Sequence, residues 1–142
     1  MTLRYWVGVV GLGHVDFGVK TGICAFSHGK RAAIEKLSEG DRFVYYSPRT
    51  AYRDGDPVQK FVALGTVIDA TPIEVNWNGY DLWAAKAAYA AVTPAPVRPL
   101  LGPLRFVTNP AKWGMAFRRG QFEITESDFG LIETALKSGD PL

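Results

Sequence analysis

The segment Gly40-Asp41-Arg42-Phe43-Val44-Tyr45-Tyr46-Ser47-Pro48-Arg49 does most to limit what this chain can fold into. Gly40-Asp41 marks a turn, and Phe43 to Tyr46 is a β-branched and aromatic run of strand length. Pro48 brings no N–H to a ladder, and its ring pushes Ser47 towards extended backbone, so a strand should stop here. Tyr46, Ser47 and Arg49 are thereby placed at the mouth of a rigid element, where polar groups meet solvent. A ligand site and an ordinary strand end both satisfy that placement.

The rest of the chain supplies a mixed set of elements. Tyr5 to Val10 reads as a strand, followed by a Gly11-Leu12-Gly13 loop; Gly18 and Gly22 limit a helix after His14 to a turn or two. Ser27 is placed to cap a helix from His28 to about Leu37, with Gly40 as its stop. Ala51 to Pro57 is a polar loop. Phe61 to Ile68 reads as a strand ended by Thr71-Pro72, and Asn76 to Gly79 carries turn chemistry. Leu82 to Val92 is ambiguous: its alanines favour helix, its position between strand-like regions favours strand. Thr93 to Pro103 is a proline-rich connector with a helical turn around Val97 to Leu101, and Asn109-Pro110 opens another. A last strand lies within Phe117 to Ile124. Thr125 to Asp128 is a relative of the capping box, and Phe129, Ile132 and Leu136 make the apolar stripe of a terminal helix. The reading is one mixed α/β (α+β) domain over residues 1–142, with five or six strands and short helices.

Function is bounded by what is missing as much as by what is present. A chain 47% hydrophobic and 21% charged folds as a globule. It contains no apolar run long enough to cross a bilayer and no signal-peptide core at its start, and it carries a single cysteine, Cys24, so the expected setting is cytoplasmic and off the membrane. The net charge of +2 allows contact with nucleic acid through a local patch only. Gly11-Leu12-Gly13 after a strand imitates a dinucleotide fingerprint. Asp16 stands where Gly or Ala is needed, however, and no acidic strand end follows about 20 residues on. Cys24, His14 and His28 lack paired metal-ligand spacing, and no nucleophile elbow surrounds Ser27. Neither a cofactor, a metal nor a catalytic group is expected. Two features are left: Ser27-His28-Gly29-Lys30, a helix start able to meet an anion, and a basic set of Arg49, Arg98, Lys112, Arg118 and Arg119 in or beside loops.

Taken together, Arg4 to Val10, Ser27-His28-Gly29-Lys30, Gly40-Asp41, Tyr45 to Thr50, Arg98 to Leu101, Trp113-Gly114, Phe117 to Gly120 and Ile124 to Phe129 resemble, in order, the EVE domain family. The resemblance runs from about Leu3 to Leu136. It implies a PUA-like fold, a small β-barrel flanked by helices, and similarity to YTH domains, which hold a methylated RNA base in an aromatic cage. It also implies that the segment holding Trp83 is a strand, against its alanine propensity. The implied function is a non-enzymatic module that reads a modified base in DNA or RNA. The alternative is a binder of, or enzyme acting on, a free nucleotide or other small metabolite in the same pocket. The implied roles are Phe26, Tyr46 and Trp83 for stacking, and Ser27, His28 and Ser47 with backbone near Val10 and Gly11 for the base edge. Lys30, Arg49, Arg118 and Arg119 would meet phosphates, and Trp6 and Trp113 belong mainly to the core. Gly11 departs from the serine that relatives often place there, which removes a hydroxyl from the site.

Overall fold

The computed structural model describes residues 2–51 and 55–138. In chain order these form β1 (Tyr5–Val9), α1 (Leu12–Thr21), β2 (Ile23–Cys24), α2 (Arg31–Glu35), β3 (Arg42–Arg49), β4 (Pro57–Trp77), β5 (Tyr80–Tyr89), β6 (Ala95–Pro96), β7 (Gln121–Ile124) and α3 (Glu126–Lys137). Segments of 3₁₀ helix cover Ser27–Gly29, Arg98–Leu100 and Pro110–Arg118. One sheet runs β2-β5-β4-β3-β1-β7, with β6 on β4. The expected mixed α/β, PUA-like architecture is present, with seven strands rather than five or six, and the sheet does not close on itself.

Both faces of the central strands are buried, which explains their nearly continuous apolar sequences. Val7, Val44, Tyr46 and Leu64 pack on one side with Leu104, Phe117 and the α3 stripe of Phe129, Ile132 and Leu136. Trp6, Phe43, Tyr45 and Ala63 pack on the other with Val15, Phe26 and Ile34. Each fully buried α3 side chain contributes roughly 1.5–3 kcal/mol. Thr125 caps that helix by accepting from the Asp128 N–H (3.1 Å), as its sequence implies. The Asp128 carboxylate in turn accepts from the Arg105 and Phe106 N–H groups (3.0 and 3.1 Å), which ties the connector to the helix start.

Asp41 joins three elements. Its fully buried carboxylate accepts from the Arg4 N–H (3.1 Å), the Trp6 indole N–H (3.0 Å) and the Ser38 N–H (2.9 Å). Its backbone carbonyl accepts from the Val67 N–H of β4 (2.8 Å). Trp6 is accordingly a core residue, whereas Trp113 is only half-buried.

Several local expectations are corrected. α1 is a full ten-residue helix in spite of Gly18, because Gly18 lies against the Ile23 carbonyl and the Tyr89 hydroxyl, where a Cβ would clash. Helix breakage therefore does not argue against a dinucleotide site, though Asp16 still does. β4 runs past Thr71-Pro72 to Trp77, absorbing the proline at irregularities in its ladder with β5 between Val67 and Ile73. Ser27 caps no helix: α2 begins only at Arg31, after Lys30, without a side-chain cap. β5 is a strand through its alanines: Ala85 and Ala87 are buried with Trp6, Phe43 and Tyr45, Ala84 is buried with Ile23, Ala25 and Leu82, and Ala88 is exposed. The middle of the Ala51–Pro57 loop, residues 52–54, lies outside the described residues.

Asp41→Ala strips three donors, the buried Trp6 indole among them, of one charged acceptor. The expected loss is about 3 kcal/mol or more, read as a lower urea midpoint with an unchanged slope. An unaltered midpoint would show that Asp41 anchors nothing.

Candidate functional site

β1 and β3 pair in parallel, Tyr5 opposite Arg42 and Val9 opposite Tyr46, so both strands end at the same mouth. The Val10 N–H donates to the Tyr46 carbonyl (3.1 Å), and the Val9 N–H to the Gly120 carbonyl (3.0 Å). α1 starts directly behind them. Gly11 is its N-cap and supplies no side-chain acceptor, and no acidic residue occupies the first turn. The positive end of the helix dipole thus faces the mouth without a built-in counter-charge.

The second wall is a left-handed turn. Ser27, His28 and Gly29 have φ of 51°, 61° and 78° in succession. Two non-glycine residues in that region cost of order 1–2 kcal/mol each, so packing must hold them there. The Gly29 N–H donates to the Phe26 carbonyl (3.0 Å), and Phe26 is fully buried against Phe43 and Tyr45. A Cβ on Gly29 would stand 2.2 Å from the Leu82 Cβ, and one on Gly120 would stand 3.0 Å from the Ser27 hydroxyl oxygen. The turn is clamped between β5 and the segment entering β7.

The hydroxyl of Ser47 is buried and has no hydrogen-bond partner among the described residues. Leaving such a group unsatisfied costs roughly 1–3 kcal/mol, which marks it for something other than folding. Strand alternation puts Ser47 on the face of Phe43 and Tyr45, opposite Val44 and Tyr46. On that face the Tyr45 hydroxyl donates to the Ala25 carbonyl (2.8 Å) and accepts from the Ala25 N–H (3.0 Å); burial raises its pKa well above the usual phenol range. His14 meets Tyr45 and Trp77 edge-on at 5.7 and 5.9 Å. Burial lowers the His14 pKa to about 4; a hydrogen bond to the Ala25 carbonyl opposes the shift, and His28 adds to it. Reading the sequence for a base pocket passed over His14, Tyr45 and Trp77. Period-two alternation could have found Tyr45, because it shares a face with Ser47.

The structure gathers Val10, Gly11, Ser27 and Ser47 about the mouth, linked through Tyr46 and Gly120, with His28 exposed on its outer side. It does not bring Tyr46 to Phe26. The Tyr46 ring is 1% exposed, belongs to the opposite cluster and stacks on Phe117 at 4.1 Å. Trp83 is half-buried, and the Arg31 guanidinium lies over its ring at 4.5 Å. Lys30, Arg49, Arg118 and Arg119 are all exposed. Arg49 donates to the Gly55 carbonyl (3.2 Å), and Arg119 rests on the Phe122 ring (4.4 Å).

The sequence profile of the EVE domain matches residues 4–135. A UPF0310 protein of Renibacterium salmoninarum is 40% identical over 135 residues, covering 95% of this chain and 96% of its own. Among solved structures, the YTH domain of Pho92 in complex with m6A superimposes with a TM-score of 0.63 at 20% identity, covering 98% of this chain and 86% of that one. The YTH domain of Zygosaccharomyces rouxii MRB1, solved with N6-methyladenosine RNA, gives 0.61 at 19% identity, covering 96% and 91%.

Two outcomes follow from this geometry. Gly29→Ala combines a disfavoured φ with a clash against the Leu82 Cβ, and should cost at least about 2–3 kcal/mol in denaturant unfolding. His14 titrates with opposite consequences in the two states. The unfolded chain takes up its proton below about pH 6.5, the folded one only near pH 4, so stability falls as pH drops through that window. The gap is worth up to about 3 kcal/mol. Replacing His14 by Asn should remove that part of the pH dependence, measured as the difference between the two unfolding curves from pH 7 to 4.

Proposed function

The chain belongs to the EVE domain family, and on that premise we propose that it is a binding module which reads a modified base in DNA or RNA at the mouth of β1 and β3. The observation that carries this reading is the buried hydroxyl of Ser47, without a partner among the described residues, at the strand end that Val10 joins through the Tyr46 carbonyl. A base edge would supply the missing partner. The backbone of Val10 and Gly11 and the side chains of Ser27 and His28 complete the hydrogen-bonding set. Phe26 forms the floor beneath them. The family fold, shared with YTH domains solved with a methylated adenosine, supports the same assignment.

Trp83 is the stacking surface in this reading. An arginine over an exposed or half-buried indole is worth about 0.5–1 kcal/mol, whereas a stacked base gains roughly 1–3 kcal/mol. Exchanging Arg31 for a base is therefore favourable, and the guanidinium, which also pairs with Glu35 (3.6 Å), moves off the ring. Tyr46 acts at one remove, through its carbonyl to Val10 and its ring against Phe117, so it positions the mouth rather than lining it. Lys30, Arg49, Arg118 and Arg119 supply phosphate contacts at the rim, which add affinity without specifying the base. Taking a base out of its stack costs a few kcal/mol, which favours single-stranded or flipped nucleotides.

Fluorescence anisotropy with a panel of single-stranded oligonucleotides, plain and bearing different base modifications, tests the reading. The wild type should prefer one modification, and Trp83→Ala should lose at least about fivefold affinity for it. Ser47→Ala should weaken that binding about fivefold while leaving the fold as stable or slightly more so, because an unpaired group is removed. A flat response across the panel refutes base reading. Free nucleosides bound as tightly as oligonucleotides, with little salt dependence, would identify a small-molecule binder instead.

A further inference from the structure

Charge is distributed unevenly along this chain. From Leu82 to Phe122 the sequence contains six basic residues and no acidic one, although the chain as a whole carries only +2. The remainder is therefore net negative, and the positive charge is concentrated on the connector and the 3₁₀ segment Pro110–Arg118. Among the described residues no carboxylate pairs with Lys112, Arg118 or Arg119. Asp128, at the start of α3, is buried and already engaged by the N–H groups of Arg105 and Phe106.

The same segment carries an open cleft of about 510 Å³ lined by Lys112, Gly114, Met115 and Arg118. Met115 is 56% exposed, an apolar, polarisable thioether between two cations. Nothing lies within 4 Å of the point where a Cβ on Gly114 would stand, so the floor is unobstructed. The segment is also rigidly backed. Trp113 packs edge-on to Phe117 at 6.1 Å and lies beneath the Arg98 guanidinium at 5.5 Å, and Phe117 stacks on Tyr46. It then leads through Arg118 and Arg119 to Gly120, which abuts Ser27 and accepts from Val9.

We propose that the Lys112–Met115–Arg118 cleft is a docking track for the sugar-phosphate backbone of a single nucleic-acid strand running into the mouth of β1 and β3. This rests on the base-reading assignment for the direction of the strand, and deepens it by giving the strand a second anchor. Lys112 and Arg118 each meet a phosphate, and Met115 packs against a sugar or base between them. A single strand fits this chemistry because it offers anionic and apolar groups in alternation, which a continuous acidic run such as polyglutamate does not.

The test measures binding of unmodified fluorescein-labelled oligo(dT) and oligo(U) to the full chain over a range of salt. Lys112→Gln with Arg118→Gln should reduce the slope of log K against log salt by about 1.4, at roughly 0.7 for each single-strand phosphate contact. Lys20→Gln with Lys86→Gln, which removes as much charge elsewhere, should leave the slope unchanged. Met115→Glu should weaken both oligonucleotides at least tenfold while thermal unfolding stays as in the wild type. An equal slope change in the two double variants, or none in either, overturns the track, as does polyglutamate competing as effectively as an oligonucleotide. Loss of modified-base preference is read separately, as the affinity ratio of modified to plain strands. If the slope changes as expected while the wild type has no such preference, base reading fails and the track stands. If the preference is present and the slope is unmoved, the track fails alone.

Discussion

The parallel pairing of β1 with β3 is the constraint on which the rest of this structure depends. A parallel pair cannot be joined by a tight turn, so α1, β2, the left-handed turn and α2 are all inserted between its two strands. Parallel direction also brings both carboxyl ends to one edge, where Val10 and Ser47 become neighbours and the first helix starts. Asp41 secures the opposite end. By binding Arg4, Trp6 and Ser38 at once, it sets where β1 begins relative to β3 and so determines where both of them finish.

Stability is given up at the mouth and recovered elsewhere. Two non-glycine residues in left-handed backbone and one unpaired buried hydroxyl together cost several kcal/mol. The surrounding structure tolerates this because Phe26, Leu82 and Gly120 hold the turn and two aromatic clusters pack both faces of the central strands. A candidate site built this way is already ordered, so a ligand bound there would lose less binding energy to ordering it. Asp128 is likewise engaged by backbone donors, and among the described residues no carboxylate pairs with Lys112, Arg118 or Arg119.

Local chemistry was legible wherever a short-range rule decides the outcome. Thr125 as a cap, Pro110 at the start of a 3₁₀ segment behind an Asn109 cap, and the Asn78-Gly79 hairpin turn all follow from side-chain hydrogen bonding or backbone sterics within a few residues. The errors lie where distant contacts override such rules. Gly18 does not break α1 because another element needs the space beside it. Pro72 does not end β4 because an irregular ladder accommodates it. Ser27 does not cap a helix because packing against Gly120 and β5 draws its backbone into the left-handed region.

By itself, then, the sequence determined the mixed fold, the aromatic strand, which runs one residue past the expected stop at Pro48, the family, and the polar residues that could serve a ligand. Those follow from hydrophobic period, backbone restriction and the order of dispersed motifs. Only the tertiary structure decided which of those residues meet. Tyr46 and Ser47 are adjacent in sequence, yet a pleated strand sends them to opposite faces, Tyr46 into the core with Phe117 and Ser47 into the site with its hydroxyl unpaired. Which face becomes core depends on what packs against it, and α3, which packs on the Tyr46 face, is tied to β3 across 91 residues of chain by the Arg42–Glu133 hydrogen bond.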